Sequence, residues 1–236
     1  MKLSQKGLSL LVSLFISNSA LATMSLDRMI VYFNSDKLPR QDIVVANPDP
    51  ENLYLQTEIF KVSNPGTKNE ERVRITNPAE LKLLATPQKS IIAPRSRKTV
   101  RLVALETPKD NELVYRVTFK PVVGDLEAKQ TAIKLLVAYQ ALVFVRPANP
   151  EYKVSAKVEK QTITFSNSGN INVVLRNGQY CASDKKDSCI KLDAGTRIYA
   201  DGSWILGLPE TAKKGKGYIQ YGLFDGEFEE TKKFPL

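Results

Sequence analysis

From Leu26 onward the apolar positions come in short runs of β-branched and aromatic residues, each closed by Pro, Gly, Asn or Asp. The run 43–46 ends at Asn47-Pro48, the run 53–60 follows, and Asn64-Pro65-Gly66 supplies the next turn. Further strands fit 90–92, 99–104, 113–120 and 131–145. No stretch carries the 3.6-residue periodicity of a long amphipathic helix. About seven strands with turns every 8–12 residues predict an antiparallel sandwich of the immunoglobulin type. Arg146-Pro147-Ala148-Asn149-Pro150 then breaks the pattern, because proline fixes φ and lacks an amide donor. A second set of strands follows at 153–158, 162–166, 172–177, 196–199 and 216–223. Asn167-Ser168-Gly169-Asn170 and Arg176-Asn177-Gly178 supply turn chemistry between them. The expected fold is all-β, with two sandwiches in series: 23–146 and a smaller one at 147–236.

The stretch 131–145 is unlike its neighbours. Most strands have five or six residues, and this one is far longer. Its odd positions Ile133, Leu135, Val137 and Tyr139 are large and apolar, and period-2 geometry places them on one face. The even positions begin Lys134, Leu136, Ala138, Gln140. Both faces are largely apolar, so one meets this domain's core and the other needs a second partner. A long apolar edge strand is an aggregation hazard that proteins normally blunt. Leaving it intact points to β-strand addition to another chain. A central strand buried on both faces is the competing reading.

The N-terminus changes the compartment. Met1 to Lys6 is short and basic, 8–16 is apolar, and Ser19-Ala20-Leu21-Ala22 carries small residues where a signal peptidase reads. The apolar run is too short to span a bilayer, so 1–22 is expected to be a cleaved secretory signal, with no membrane insertion. In an oxidising compartment Cys181 and Cys189, separated by seven polar or small residues, are expected to close a structural disulfide at a hairpin tip.

Composition narrows the chemistry. The 236 residues include no histidine, which excludes His-based zinc sites, nucleophile pairs and general bases. Glu70-Glu71 sits beside a basic turn and Glu229-Glu230 on an expected solvated tail, and neither pair converges on a pocket. We expect no enzyme, no cofactor and no metal. The net charge of +9 falls to +7 once Lys2 and Lys6 are removed, and the basic residues are scattered without a nucleic-acid reading motif.

Five motifs in order carry a resemblance. Ser25-Leu26-Asp27-Arg28 precedes Val31-Tyr32-Phe33. Ala85-Thr86-Pro87-Gln88, Ile92-Ala93-Pro94 and Thr99-Val100-Arg101-Leu102 follow. Val114-Tyr115-Arg116-Val117-Thr118-Phe119, the long strand closing on Arg146-Pro147, and 163–170 complete the set. Together they resemble the periplasmic chaperones of the chaperone–usher pathway, in the archaic or alternative branch. That resemblance implies two immunoglobulin-like domains in an L, joined at an elbow. It implies a periplasmic protein whose partners are pilin or fimbrial subunits and an outer-membrane usher. It also implies that Ile133, Leu135 and Val137, with Tyr139, complement an incomplete pilin sandwich.

The best-known branch of that family binds the pilin C-terminal carboxylate with two basic residues, and the matching positions here hold Ile30 and Leu142. Arg116 becomes the first candidate anchor, because a guanidinium can hold a carboxylate bidentately. Arg28 and Lys120 follow it. By the same resemblance Arg101, Arg146 and Asp225 are expected to buttress the elbow. The alternative function is a secreted immunoglobulin-like adhesin or carbohydrate-binding module, with Trp204 stacking on a sugar.

Overall fold

The computed structural model describes residues 24–122, 136–212 and 215–236. The signal-like stretch 1–22, and with it Ile133 and Leu135, lies outside them. The first ten strands are β1 (Ser25–Leu26), β2 (Ile30–Phe33), β3 (Arg40–Ala46), β4 (Leu53–Ser63) and β5 (Glu71–Arg74), then β6 (Leu83–Thr86), β7 (Lys89–Ile92), β8 (Arg97–Ala104), β9 (Leu113–Val122) and β10 (Tyr139–Val145). They form two sheets. One runs β1-β3-β8-β6, and the other β2-β10-β9-β4-β5 with β7 also on β4. Alternation dictates the core between them: Ile43, Val45, Val100 and Leu102 from one sheet meet Val117, Phe119, Ala141 and Val143 from the other.

The second sandwich contains β11 (Val154–Glu159), β12 (Thr162–Asn167), β13 (Val173–Cys181) and β14 (Cys189–Lys191), then β15 (Thr196–Ile198), β16 (Ser203–Gly207), β17 (Tyr218–Phe224) and β18 (Glu229–Pro235). Its sheets are β11-β12-β16 and β14-β13-β17-β18, with β15 on β13. Phe165 is the hub of its core, edge-on to Phe234 at 5.0 Å and to Tyr221 at 5.5 Å. Trp204 stacks on Phe165 at 5.6 Å, so the only tryptophan serves this core rather than offering a platform for a sugar. The buried Asn167 staples the entry loop: its Oδ1 accepts from Lys153 N and Gly169 N, and its Nδ2 donates to Ile171 O. All strand pairings among the described residues stay on one side of Arg146.

Three expectations change. Asn177-Gly178 is not a turn but a bulge inside β13, where the pairing with β17 shifts register between Arg176 and Gln179. Gly178 is required there because a Cβ would meet the Tyr221 ring at 2.4 Å. The expected solvated tail is strand β18, and Glu229 pairs with Arg176 across the sheet. Most important, the described part of 131–145 is not an edge strand over its whole length. β10 lies between β9 and β2 from Leu142 to Val145, and among the described residues only its beginning has a neighbour on one side alone.

Candidate functional site

Even-numbered residues of β4, β9 and β10 point away from the first core and build one outer face. The pairings place Ile30, Leu142, Arg116, Phe60 and Arg74 side by side across five strands. Ile30 and Leu142, the positions matched above to the two basic residues of the best-known branch, therefore sit next to Arg116 in a single row. One rung further out, Gln140 Nε2 donates to Thr118 Oγ1 at 2.9 Å, and Glu58 pairs with Arg74 at 3.1 Å. Arg116 is half-buried, and its Nε is buried with no hydrogen-bond partner among the described residues. A buried donor left unpaired costs about 1–3 kcal/mol, so this guanidinium is primed for an acceptor. Glu70 is an anion within its electrostatic reach. The Gly66 N–H and then Arg72 hold that carboxyl below its usual range, with Arg116 adding a smaller pull.

The other candidate cations are placed differently. Arg28 is exposed and its Nε donates to Asp27 Oδ2 at 3.0 Å. Lys120 is exposed on the same face as Arg116, two rungs and about 13 Å along β9. Val137 precedes β10, outside any strand, and is 43% exposed. Tyr139 opens β10 and packs against the first core.

The far end of this face is covered by the second sandwich. Phe144, fully buried, stacks on Tyr32 at 5.2 Å and meets Tyr199 of the second sandwich at 6.3 Å. The second apolar face of β10 thus finds part of its partner within the chain. Arg197 lies over Phe144 and Arg146 over Tyr32, each 4.8 Å from the ring centre. Two glycines permit the approach. A Cβ on Gly66 would stand 2.7 Å from the Tyr199 ring, and one on Gly226 would stand 2.5 Å from that of Tyr32.

Around these rings lies the polar part of the elbow. Arg146, 3% exposed, donates to Asn34 Oδ1 at 3.2 Å and to the backbone carbonyl of Asp225. The Asp225 carboxylate instead accepts from Glu227 N and Phe228 N in its own turn. Glu112 bridges the sandwiches, accepting from Asn172 N at 2.7 Å and Asn172 Nδ2 at 2.8 Å. Arg197 donates to Asn172 Oδ1 and to Tyr32 Oη. Arg101 is not part of this cluster. It points outward from β8 between the inward Val100 and Leu102, and holds Asp42 bidentately at 2.8 and 2.9 Å. Cys181 and Cys189 are bonded, as directly opposed residues of β13 and β14.

A family model described as the pili and flagellar-assembly chaperone, PapD N-terminal domain, matches residues 23–151. The chain belongs to this chaperone family. Among its relatives are two Escherichia coli proteins named as fimbrial subunits, one of CFA/I and one of CS1. The CFA/I protein is 29% identical over 207 residues and 84% of each chain. The CS1 protein is 31% identical over 176 residues, covering 70% of this chain and 73% of that one. Of solved structures, the class 5 fimbriae chaperone CfaA superposes with a TM-score of 0.67 at 25% identity, over 90% of this chain and all of that one. The SafB chaperone, in complex with the SafA pilin of Salmonella enterica, shares the fold: TM-score 0.63 at 14% identity, over 92% and 98% of the two chains. These chaperones have two immunoglobulin-like domains, as this chain does.

Within the chaperone fold, sequence reasoning missed Glu112, Asn172 and Arg197. Glu112 had one visible signal, an acid immediately before a strand of apolar residues, but nothing in its spacing pointed to Asn172, 60 positions away.

Proposed function

We propose that this chaperone holds fimbrial subunits in the periplasm by donor-strand complementation and hands them to an outer-membrane usher. Ile133, Leu135 and Val137 enter the open groove of the subunit, with Tyr139 at the base of the donor segment, and Arg116 receives the terminal carboxylate. The observation that carries this reading is the free edge of β10. Its odd residues continue the core face of the first sandwich, and β2 pairing stops at Leu142. Among the described residues nothing pairs with that side of the backbone before it, which leaves it for a new strand. Arg116, with its unpaired Nε, stands directly beside Leu142. Related chaperones are seen with a tip adhesin or a pilin. We assign 1–22 to the export signal, 23–146 to subunit binding and 147–236 to the second domain.

Strand addition supplies both backbone partners and apolar plugs. Each fully buried Ile, Leu or Val contributes about 1.5–3 kcal/mol, offset in part by ordering of the segment. The test is co-expression with a candidate fimbrial subunit. Leu135→Asp puts an unpaired charge into the groove and should abolish recovery of the subunit while the chaperone stays folded. Normal co-purification with a folded Leu135→Asp protein would sink the proposal.

A further inference from the structure

Pro121 sits near the end of β9, a strand flanked by β10 on one side and β4 on the other. Which neighbour its nitrogen faces follows from hydrogen bonds elsewhere in the sheet. Leu142 N donates to Met29 O at 2.8 Å and Arg146 N to Phe33 O at 3.0 Å, both toward β2. Backbone polar groups alternate sides along a strand, so the odd residues of β10 aim theirs at β9. The register then makes Val143–Tyr115, Ala141–Val117 and Tyr139–Phe119 the mutually bonded pairs. Two residues further on, the same register sets Val137 opposite Pro121, whose nitrogen carries no hydrogen to donate.

The pairing ends just there. Tyr139–Phe119 is its last rung, 136–138 lie outside any strand, and Val137 is exposed although Pro121 is buried. Toward β4 the proline costs nothing, since the even residues of β9 bond that neighbour. Pairing with β4 continues through Leu55–Pro121 to Tyr54–Val122. A proline in a central strand would normally be a defect. Here it removes one donor on one side, at the rung where the sheet lets β10 go.

We infer that Pro121 is a positioning residue: it ends the chaperone's own ladder at Tyr139 and keeps Val137 available to an incoming subunit strand. This rests on the donor-strand reading. A donor whose odd residues are zipped onto β9 keeps only its β2-side edge open. A subunit strand pairing on the β9 side would first have to displace that ladder, and apparent affinity falls by the fraction that is closed.

Pro121→Ala and Pro121→Val restore the missing donor. Hydrogen exchange on the free mature protein should show new protection at position 121 and at Val137. Affinity for the fimbrial subunit that the parent captures on co-expression should fall about fivefold, the equivalent of one net hydrogen bond. N-methylalanine at position 121, which again lacks the hydrogen, should restore parental affinity; a simple packing role for the ring would not. If Val137 gains no protection, or gains it with unchanged affinity while Leu135→Asp still abolishes capture, the inference fails and the donor reading stands. Normal capture by both Leu135→Asp and Val137→Asp removes the donor reading and this inference together.

Discussion

Glu112→Gln probes the elbow through a single proton. Glu112 is 8% exposed, and its oxygens accept from the Asn172 backbone and side chain. Burial pushes its pKa up to about 7 from an ordinary 4.5, against the opposing pull of those bonds and of Arg146 and Arg197. The folded protein therefore holds this proton more tightly than the unfolded chain does. The contribution to stability is fully present below pH 4.5, declines as the pH rises through the window to 7, and is gone above it. A shift of that size corresponds to about 3 kcal/mol.

Gln cannot titrate, so the variant should gain on the parent by about that amount between pH 4.5 and 8. Losing one acceptor adds a constant offset of about 1 kcal/mol in the other direction. Urea unfolding of both proteins across this range separates the two effects, because one varies with pH and the other does not. A parent-minus-variant difference that stays flat with pH would refute the reasoning, and would mean that folding leaves the Glu112 pKa unshifted.

Four further outcomes are expected. Arg116→Ala should cost about 2–5 kcal/mol of subunit binding, measured by titration calorimetry, with Arg116→Lys recovering only part because the fork geometry is lost. Arg28→Ala should change little, since Arg28 is exposed and already paired with Asp27, and equal binding by Arg116→Ala and the parent would move the anchor elsewhere. Replacing Cys181 and Cys189 together by Ser should cost about 2–3 kcal/mol in thermal unfolding while leaving subunit capture intact; two free thiols by mass spectrometry of the periplasmic protein would contradict the bonded pair. Gly226→Ala should lower the melting temperature through both its φ of +114° and the contact with Tyr32, and adding Tyr32→Ala should relieve part of that loss.

What the sequence alone determined are the features written in spans of a few residues. Alternation along 131–145 separates Tyr139, Ala141 and Val143, which face the core, from Gln140, Leu142 and Phe144, which do not. Proline and glycine mark where strands stop, and the polar spacer between Cys181 and Cys189 announces a hairpin. Alternation even sends Arg101 outward between Val100 and Leu102, but it cannot say what lies outside. Only the tertiary structure decided that Arg101 meets Asp42 and solvent, whereas Phe144 meets Tyr199 from the second sandwich. The same holds for Glu112 and Asn172, and for Arg116 standing beside Leu142 and Ile30. Side-chain period is a property of one strand's backbone and is therefore local. Register, strand order and the angle between two sandwiches are set by contacts between residues far apart in the chain, and those contacts choose which outward face becomes a cleft, an elbow or plain surface.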